Sequence, residues 1–260
     1  KKQYYPRQHR WRMSPHVLET YVRDFIATQM QSATPEIWFN WQGGEPTLQG
    51  LSFFKRVVRL QAKYWPEGRQ IRNALQTNGV TLTPAWAKFL HDHDFLVGIS
   101  LDGPAACNDH FRVDAAGRPT GARVETAIRL LQDHQVAFNV LCVVHAENAR
   151  EPLTIYRHLK SLGATHLQFI PVVERFAEGE RLAGPPQRDP AGSSYPVTPW
   201  SVDPAAYGDF LCAVFDEWHR EEVGRIFVQF FDVQLGLWMG LPSTLCIFAK
   251  TCGRGLALEH

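Results

Sequence analysis

The chain has 260 residues, of which 45% are apolar, and its formal net charge is +1. This content allows a sizeable core, in one large domain or in one domain plus a fragment. The balanced charge gives no reason to expect binding to nucleic acid or to an anionic membrane surface. The longest apolar stretch, residues 136–144, is too short to cross a bilayer, and the polar start does not look like a signal peptide. Five cysteines, an odd number, do not indicate a disulfide framework, so we expect a cytoplasmic protein.

Helices and strands alternate from residue 14 to residue 171. Ser14 before Pro15 predicts a helix start, because serine caps helix N-termini and proline favours the first turn. The predicted strands cover residues 36–41, 71–77, 95–101, 137–144 and 166–170. The predicted helices between them cover residues 51–64, 84–93, 123–134 and 152–162. Repeated strand-helix-strand units predict a parallel sheet, with ligands at the carboxyl ends of its strands.

The segment 175–200 interrupts this alternation. It is dense in glycine, proline and serine, which predicts a mobile surface loop. Beyond it, the pattern predicts an amphipathic helix over residues 204–223 and a short strand over residues 226–231. Cysteines within apolar segments are usually core residues, so we expect Cys142 and Cys212 to be buried, with Cys107 in a loop.

Polar or glycine-rich residues follow successive predicted strands. Gln42-Gly43-Gly44-Glu45 ends the first, Gln-Thr-Asn-Gly (76–79) the second, Ser-Leu-Asp-Gly (100–103) the third, and His145 the fourth. Adjacent glycines before an acid and a proline are costly unless the backbone must approach something. Asn-Gly and Asp-Gly pairs are also ordinary turn formers. Three such ends in register favour a single site assembled from separate segments.

Seven segments carry a resemblance to a known family. They are residues 41–47 (WQGGEPT), 75–79 (LQTNG), 97–104 (VGISLDGP), 138–144 (FNVLCVV), 167–171 (LQFIP), 207–212 (YGDFLC) and 246–254 (CIFAKTCGR). Together they are similar to the anaerobic sulfatase-maturating enzymes, which belong to the radical S-adenosylmethionine superfamily and carry a SPASM-type auxiliary-cluster region. The resemblance covers nearly the whole chain outside residues 175–200.

The resemblance implies an α/β fold, a partial (β/α)6 TIM-like barrel of the radical SAM type followed by the start of a C-terminal auxiliary-cluster region. Residues 1–175 would form the barrel core and residues 176–202 a flexible insertion loop. Residues 203–240 would complete the barrel, and residues 241–260 would begin a SPASM-like region. By comparison with the family, the chain is expected to be truncated at both ends.

The resemblance also implies roles for individual residues. Six would bind S-adenosylmethionine (AdoMet): Gly43, Gly44, Glu45, Ser100, Asp102 and Arg112. The first three would meet its amino group, and Ser100 and Arg112 its carboxylate. Gln42 and Tyr5 would line the peptide-substrate channel. Arg112 could instead be a surface cation, and Tyr5 could have a packing role.

The implied reaction converts a cysteine or serine of a sulfatase to Cα-formylglycine through a 5'-deoxyadenosyl radical. The partners would be the sulfatase polypeptide and an electron donor such as flavodoxin or ferredoxin, and we expect a monomer. The catalytic residue stays unknown, because the family's general-base aspartate is expected beyond His260. Asp232 is the nearest remaining acid, and we expect a structural role for it.

The sequence departs from the family at its cluster ligands. Radical SAM enzymes use a Cys-x3-Cys-x2-Cys motif to hold a [4Fe-4S] cluster. If the pair at residues 4–5 is the family's aromatic pair, Gln3 falls on the third cysteine position, and the first cysteine in the chain is Cys107. The chain as given is therefore expected to be inactive. Cys246 and Cys252 match the first two auxiliary-cluster cysteines of the family.

Three alternatives stay open. The protein could be another SPASM enzyme that modifies a different peptide, or a cluster-free barrel that binds AdoMet or a peptide. A phosphate-binding (β/α) enzyme is disfavoured, because Glu45 would repel a phosphate at the following helix entrance.

Overall fold

The computed structural model describes residues 13–176 and 196–250. Tyr5 and Cys252, and most of the predicted insertion loop, lie outside these described residues. Within them the chain forms two compact units. The first comprises residues 13–99 and 123–138, and the second comprises residues 100–122, 139–176 and 196–250. The domain boundaries inferred from the resemblance stay a prediction.

The described residues contain six strands and eight α-helices. The strands are β1 (Glu36–Trp41), β2 (Gln70–Thr77), β3 (Phe95–Ser100), β4 (Phe138–Val144), β5 (His166–Pro171) and β6 (Phe227–Val228). The α-helices are α1 (Pro15–Gln29), α2 (Leu51–Lys63), α3 (Pro84–Asp92), α4 (Ala105–Asn108), α5 (Gly121–Asp133), α6 (Pro152–Ser161), α7 (Pro204–Glu221) and α8 (Gln229–Trp238). Short 3₁₀ helices cover Pro46–Gln49, Asn148–Arg150 and Cys246–Phe248.

In the first unit, β1, β2 and β3 are parallel and follow chain order. Ser14 accepts a hydrogen bond from the main-chain N–H of Val17 at 3.2 Å, so the predicted cap of α1 is present. Leu18, Val22 and Ile26 recur at helical spacing and pack against the inward side chains of β1, Ile37 and Phe39. This packing fixes β1, whose carboxyl end carries the Gly-Gly-Glu-Pro segment.

Two buried carboxamide side chains join α2 to β2 in the same unit. Asn73 and Gln61 are 5% and 3% exposed, and their carboxamides exchange hydrogen bonds of 2.9 and 3.0 Å. The indole N–H of Trp41 also donates to Asn73 Oδ1, at 2.9 Å. Because these buried groups are paired, the polar cluster costs little stability and fixes α2 against β1 and β2.

In the second unit, β4, β5 and β6 are parallel and again follow chain order. Helix α7 starts at an Asp203 cap and buries Phe210, Val214 and Trp218 at a spacing of four residues. Tyr207 donates a hydrogen bond to the carbonyl of Phe169 in β5 at 2.9 Å, and burial raises its pKa to about 12. Helix α7 is therefore anchored to β5 by this hydrogen bond.

Three sequence predictions were wrong. Cys107, predicted in a loop, lies in the single helical turn α4, where its N–H donates to the carbonyl of Pro104 at 2.8 Å. Of the strand predicted over residues 226–231, only Phe227 and Val228 are extended, because residues 229–238 form α8. An apolar run this short does not distinguish a strand from a helix. Cys212 is exposed instead of buried, because it lies two positions beyond Phe210 and off the buried face of α7.

The other five predicted strands are confirmed, each within one residue at either end. The α/β class with parallel strands is likewise confirmed. In the part of the chain that the structure describes, no helix is long and apolar enough to cross a membrane.

Candidate functional site

The end of β1 presents two adjacent glycines to solvent. Gly43 and Gly44 have φ angles of +98° and +59°, a region in which other residues are strained. A Cβ atom placed on either glycine would meet nothing within 4 Å, so conformation and not crowding requires glycine here. Within residues 13–176 and 196–250, no hydrogen bond engages the main chain of either glycine. Their N–H and C=O groups are therefore available to a ligand.

The carboxylate of Glu45 connects the end of β1 to the end of β2. Its Oε1 accepts from the N–H and the hydroxyl of Thr47, at 3.1 and 2.6 Å, and from the hydroxyl of Thr77 at 2.7 Å. Its Oε2 accepts from the main-chain N–H of Asn78 at 2.7 Å. Glu45 thus caps the 3₁₀ helix Pro46–Gln49 and joins two strand ends. A carboxylate oxygen accepts about two hydrogen bonds, so Oε2 can take one more donor.

The end of β2 is a tight turn packed against β3. Asn78 Oδ1 accepts from the N–H of Val80 at 3.0 Å, which is the turn-forming role expected of Asn-Gly. Gly79 has a φ of +73°, and a Cβ there would lie 2.8 Å from Cδ1 of Ile99. The turn is therefore structural, and its contribution to the site is the N–H that holds Glu45.

In the second unit, Asp102 and Arg112 form a buried ion pair. Arg112 donates from Nε to Oδ2 at 2.5 Å and from Nη2 to Oδ1 at 2.9 Å, a bidentate arrangement. Asp102 is 3% exposed, and its Oδ1 also accepts from the main-chain N–H of Val143 at 2.8 Å. The structure thus brings together two of the predicted cofactor residues, as partners of each other.

Two asparagines that the sequence did not indicate surround Asp102. Asn108 accepts from the N–H of Asp102 at 3.1 Å, and Asn148 donates to its carbonyl at 3.3 Å. His145, at the end of β4, donates its N–H to Asn148 Oδ1 at 2.7 Å, and burial lowers the pKa of its ring. Asparagine is common in turns, so its identity alone could not reveal these contacts.

Ser100, Gln42 and Cys246 are the remaining predicted residues within the described ranges. Ser100 is half-buried at the end of β3, and Gln42 is exposed beyond β1. Cys246 is exposed in its 3₁₀ helix, so the pairing with Cys252 stays a prediction. Over the described ranges, no three His, Cys, Asp or Glu side chains lie close enough together to hold a metal ion. The described residues therefore do not supply the ligand set of an iron–sulfur cluster.

Two further cysteines are poor nucleophiles. Cys142 is fully buried in β4, as predicted, and burial raises its pKa well above the usual value. Cys107 lies in α4, and burial, with nearby Glu151 and Asp102, raises its pKa as well. Because the thiolate is the reactive form, neither side chain is prepared for attack at neutral pH.

Asp232, in the first turn of α8, is a partly buried carboxyl group. Burial raises its pKa, and the proximity of His166 lowers it by less. In the described part of the chain, its carboxylate makes no hydrogen bond or ion pair. A carboxyl group with a raised pKa favours folding in its protonated form, and this contribution is lost as pH rises through the folded-state pKa.

We therefore expect Asp232→Asn to stabilise the protein at pH 7, by about 1 kcal/mol or less. The gain should disappear below about pH 4, where the carboxyl group of the unfolded chain is itself protonated. Urea unfolding at a series of pH values measures this. Asp216→Asn, which removes an exposed carboxylate from α7, is the matched control. A gain from Asp232→Asn that does not depend on pH would contradict the role of ionisation.

Comparisons with known proteins give a consistent result. No protein-family model matches the chain. A serine-type anaerobic sulfatase-maturating enzyme of Bacteroides thetaiotaomicron is 38% identical over 250 residues, covering 95% of this chain and 58% of the relative. A cysteine-type anaerobic sulfatase-maturating enzyme of Clostridium perfringens is 34% identical over 242 residues, covering 92% of this chain and 60% of the relative.

A solved structure agrees with these relatives. Native anSMEcpe with bound AdoMet and Cp18Cys peptide matches with a TM-score of 0.76 at 34% identity, over 90% of this chain and 60% of that one. The chain thus spans 58–60% of the length of these relatives.

The fold and the site together define a class of protein, an α/β protein whose parallel strands carry polar, ligand-accessible groups at their carboxyl ends. Within that class, the chain is similar to anaerobic sulfatase-maturating enzymes over 92–95% of its length. The resemblance predicted from the seven segments is confirmed, and so is the fold that it implied.

Proposed function

We propose that this chain forms the AdoMet-binding and peptide-binding part of an anaerobic sulfatase-maturating enzyme. Such an enzyme oxidises a cysteine or serine of a sulfatase to Cα-formylglycine. One observation carries the proposal: the exposed pair Gly43-Gly44 with positive φ angles directly precedes Glu45, whose carboxylate joins the ends of β1 and β2, in the segment that resembles the family. The relatives, similar over 92–95% of the chain, support the assignment.

The end of β1 fits the amino group of AdoMet. An ammonium group donates three hydrogen bonds and carries a positive charge. Oε2 of Glu45 can accept one more donor, and the carbonyls of Gly43 and Gly44 are open. Charge-assisted hydrogen bonds of this kind are about twice as strong as neutral ones. These residues would bind and orient AdoMet.

For the carboxylate of AdoMet we propose Arg112 and Ser100 in the second unit. Arg112 carries a guanidinium group, the side chain best suited to carboxylates, and its position is set by Asp102. Ser100 lies at the end of β3, on the same turn as Asp102. The structure of anSMEcpe with bound AdoMet supports this choice of cofactor.

For the substrate we propose a polypeptide segment of a sulfatase. The relatives are named as sulfatase-maturating enzymes, and the matched anSMEcpe structure holds a Cp18Cys peptide. Gln42, exposed beside the AdoMet-facing glycines, would contact this peptide. Both serine-type and cysteine-type enzymes are relatives at similar identity, 38% and 34%, so the class of sulfatase is left open.

In this family a [4Fe-4S] cluster supplies the electron that cleaves AdoMet. The described residues do not provide its ligands, so the roles that we assign to this chain are binding, orientation and exclusion of water. An electron-donor protein, such as flavodoxin or ferredoxin, is also part of the proposal.

Two measurements test the function. Isothermal titration calorimetry of the chain with AdoMet should show binding to a single site, and absence of binding would reject the assignment of the cofactor. The protein expressed from its native gene, reconstituted with iron and sulfide and incubated anaerobically with AdoMet and a sulfatase peptide, should form an aldehyde that a hydrazine reagent captures. AdoMet cleavage without aldehyde in either a cysteine or a serine peptide would point to a different peptide modification.

A further inference from the structure

Two buried asparagines fix the turn that follows β3. Asn108 is 0% exposed, and its Oδ1 accepts from the N–H of Asp102 at 3.1 Å. Asn148 is 2% exposed, and its Nδ2 donates to the carbonyls of Val143, at 2.9 Å, and Asp102, at 3.3 Å. Its Oδ1 accepts from the N–H of His145 at 2.7 Å. Because both amide hydrogens and the oxygen of Asn148 bond to the main chain, it holds the Asp102 turn and the end of β4, both in the second unit, in one arrangement.

The carboxylate of Asp102 is buried behind its own hydrogen-bond partners within the protein. It accepts two hydrogen bonds from Arg112 and one from the N–H of Val143, and the residue is only 3% exposed. A ligand could reach it only by displacing one of these donors. Asp102 therefore acts on a cofactor through Arg112 and not by direct contact.

Arg112 is held at both its main chain and its side chain. Its N–H donates to the carbonyl of Asn108 at 3.0 Å, and its own carbonyl accepts from the hydroxyl of Thr120 at 2.8 Å. Asp102 occupies Nε and Nη2, which leaves Nη1 as the guanidinium nitrogen without a partner among the described residues. The side chain is 24% exposed, so an anion can reach it. Fixing a donor before binding reduces the entropy that binding costs.

We propose that Asn148 and Asp102 are positioning residues that orient Arg112 Nη1 to receive the carboxylate of AdoMet. The inference rests on the proposed function, because the ligand is the cofactor assigned there. It adds a role for Asn148 and changes the role of Asp102 from ligand contact to support. Substituting Asn148 or Asp102 should therefore weaken recognition of the AdoMet carboxylate more than recognition of the rest of AdoMet.

The test compares two ligands that differ only in the carboxylate. Dissociation constants are measured for AdoMet and for decarboxylated AdoMet, and their ratio reports carboxylate recognition. We expect Asn148→Ala and Asp102→Asn each to lower the preference for AdoMet about tenfold, the effect of one charge-assisted hydrogen bond. Arg112→Lys, which alters the contacting group itself, should lower it at least as much.

The matched control is Asn73→Ala, which removes an equally buried and hydrogen-bonded asparagine from the first unit. It should lower stability and leave the ratio unchanged. If Asn148→Ala does not fold, the isosteric Asp102→Asn tests the inference instead, because it is expected to lower the preference for AdoMet by the same factor. Equal weakening of both ligands would show a purely structural role and overturn the inference. A wild-type protein that binds neither ligand contradicts AdoMet binding, on which the proposed function rests. Equal wild-type affinity for both ligands contradicts the assignment of the carboxylate to Arg112, and this inference with it, and leaves AdoMet binding standing.

Discussion

Replacing Glu45 by alanine is expected to lower the free energy of unfolding by about 3 kcal/mol. The carboxylate accepts hydrogen bonds from Thr47, Thr77 and Asn78, and its loss leaves two main-chain N–H groups without an acceptor. It also removes the cap of the 3₁₀ helix Pro46–Gln49. Hydrogen bonds to charged groups contribute roughly 1.5–3 kcal/mol each, and water at this exposed edge replaces some of them. Urea unfolding measures the change.

Glu45→Gln separates the structural role from the ligand role. Glutamine keeps one acceptor oxygen, so the stability loss should be smaller than that of Glu45→Ala. The negative charge is lost, however, and AdoMet affinity should fall by about tenfold or more. Glu67→Ala, at an exposed position on the same unit, is the control and should change stability by less than about 0.5 kcal/mol. If Glu45→Ala unfolds at the same urea concentration as the wild type, the carboxylate does not hold the two strand ends together.

Local pattern was sufficient to predict most of the secondary structure. Proline directly after a polar cap starts α1, α3 and α7; the cap hydrogen bond predicted for α1 is present, and the structure shows the same kind of cap at α3 and α7. Apolar alternation between these helices located β1 to β5. The pattern failed after Phe227, where apolar residues continue from a two-residue strand directly into α8. It also failed at Cys212, where counting the four-residue spacing of the buried face would have given the correct answer.

The sequence was sufficient to predict several residues of the site. It was not sufficient to predict which of them form hydrogen bonds with each other. Gly43, Gly44 and Glu45 could be predicted, because adjacent glycines are conformationally costly and because their segment resembles the family. The contact between Glu45 and Asn78 joins residues 33 positions apart, and that between Asp102 and Val143 joins residues 41 positions apart. Such pairs depend on the register of the strands, which no local signal specifies. The contact between Asn148 and Asp102 could not be predicted for the same reason, since only the tertiary structure brings the two residues together.

Replacing Phe39 by alanine is expected to cost about 3–5 kcal/mol, the usual effect of emptying a fully buried aromatic position. Phe39 is 0% exposed and lies at the centre of an aromatic cluster in the first unit. Its ring centroid is 4.8 Å from that of Phe25, 5.9 Å from that of Tyr21 and 6.0 Å from that of Trp41. Alanine would leave a cavity between α1 and β1 and remove all three ring contacts.

Because Phe39 faces α1, its loss should weaken the fold without altering the ligand groups at the end of β1. The protein that remains folded at low temperature should therefore bind AdoMet with unchanged affinity, in contrast to Glu45→Gln. Phe39→Leu, which nearly fills the space, should cost less than about 1.5 kcal/mol, and Phe215→Ala, at a 43% exposed position, about 1 kcal/mol or less. Thermal unfolding with and without AdoMet measures both quantities. A large fall in AdoMet affinity in folded Phe39→Ala would mean that the ligand groups at the end of β1 depend on the packing of Phe39, and would contradict this prediction.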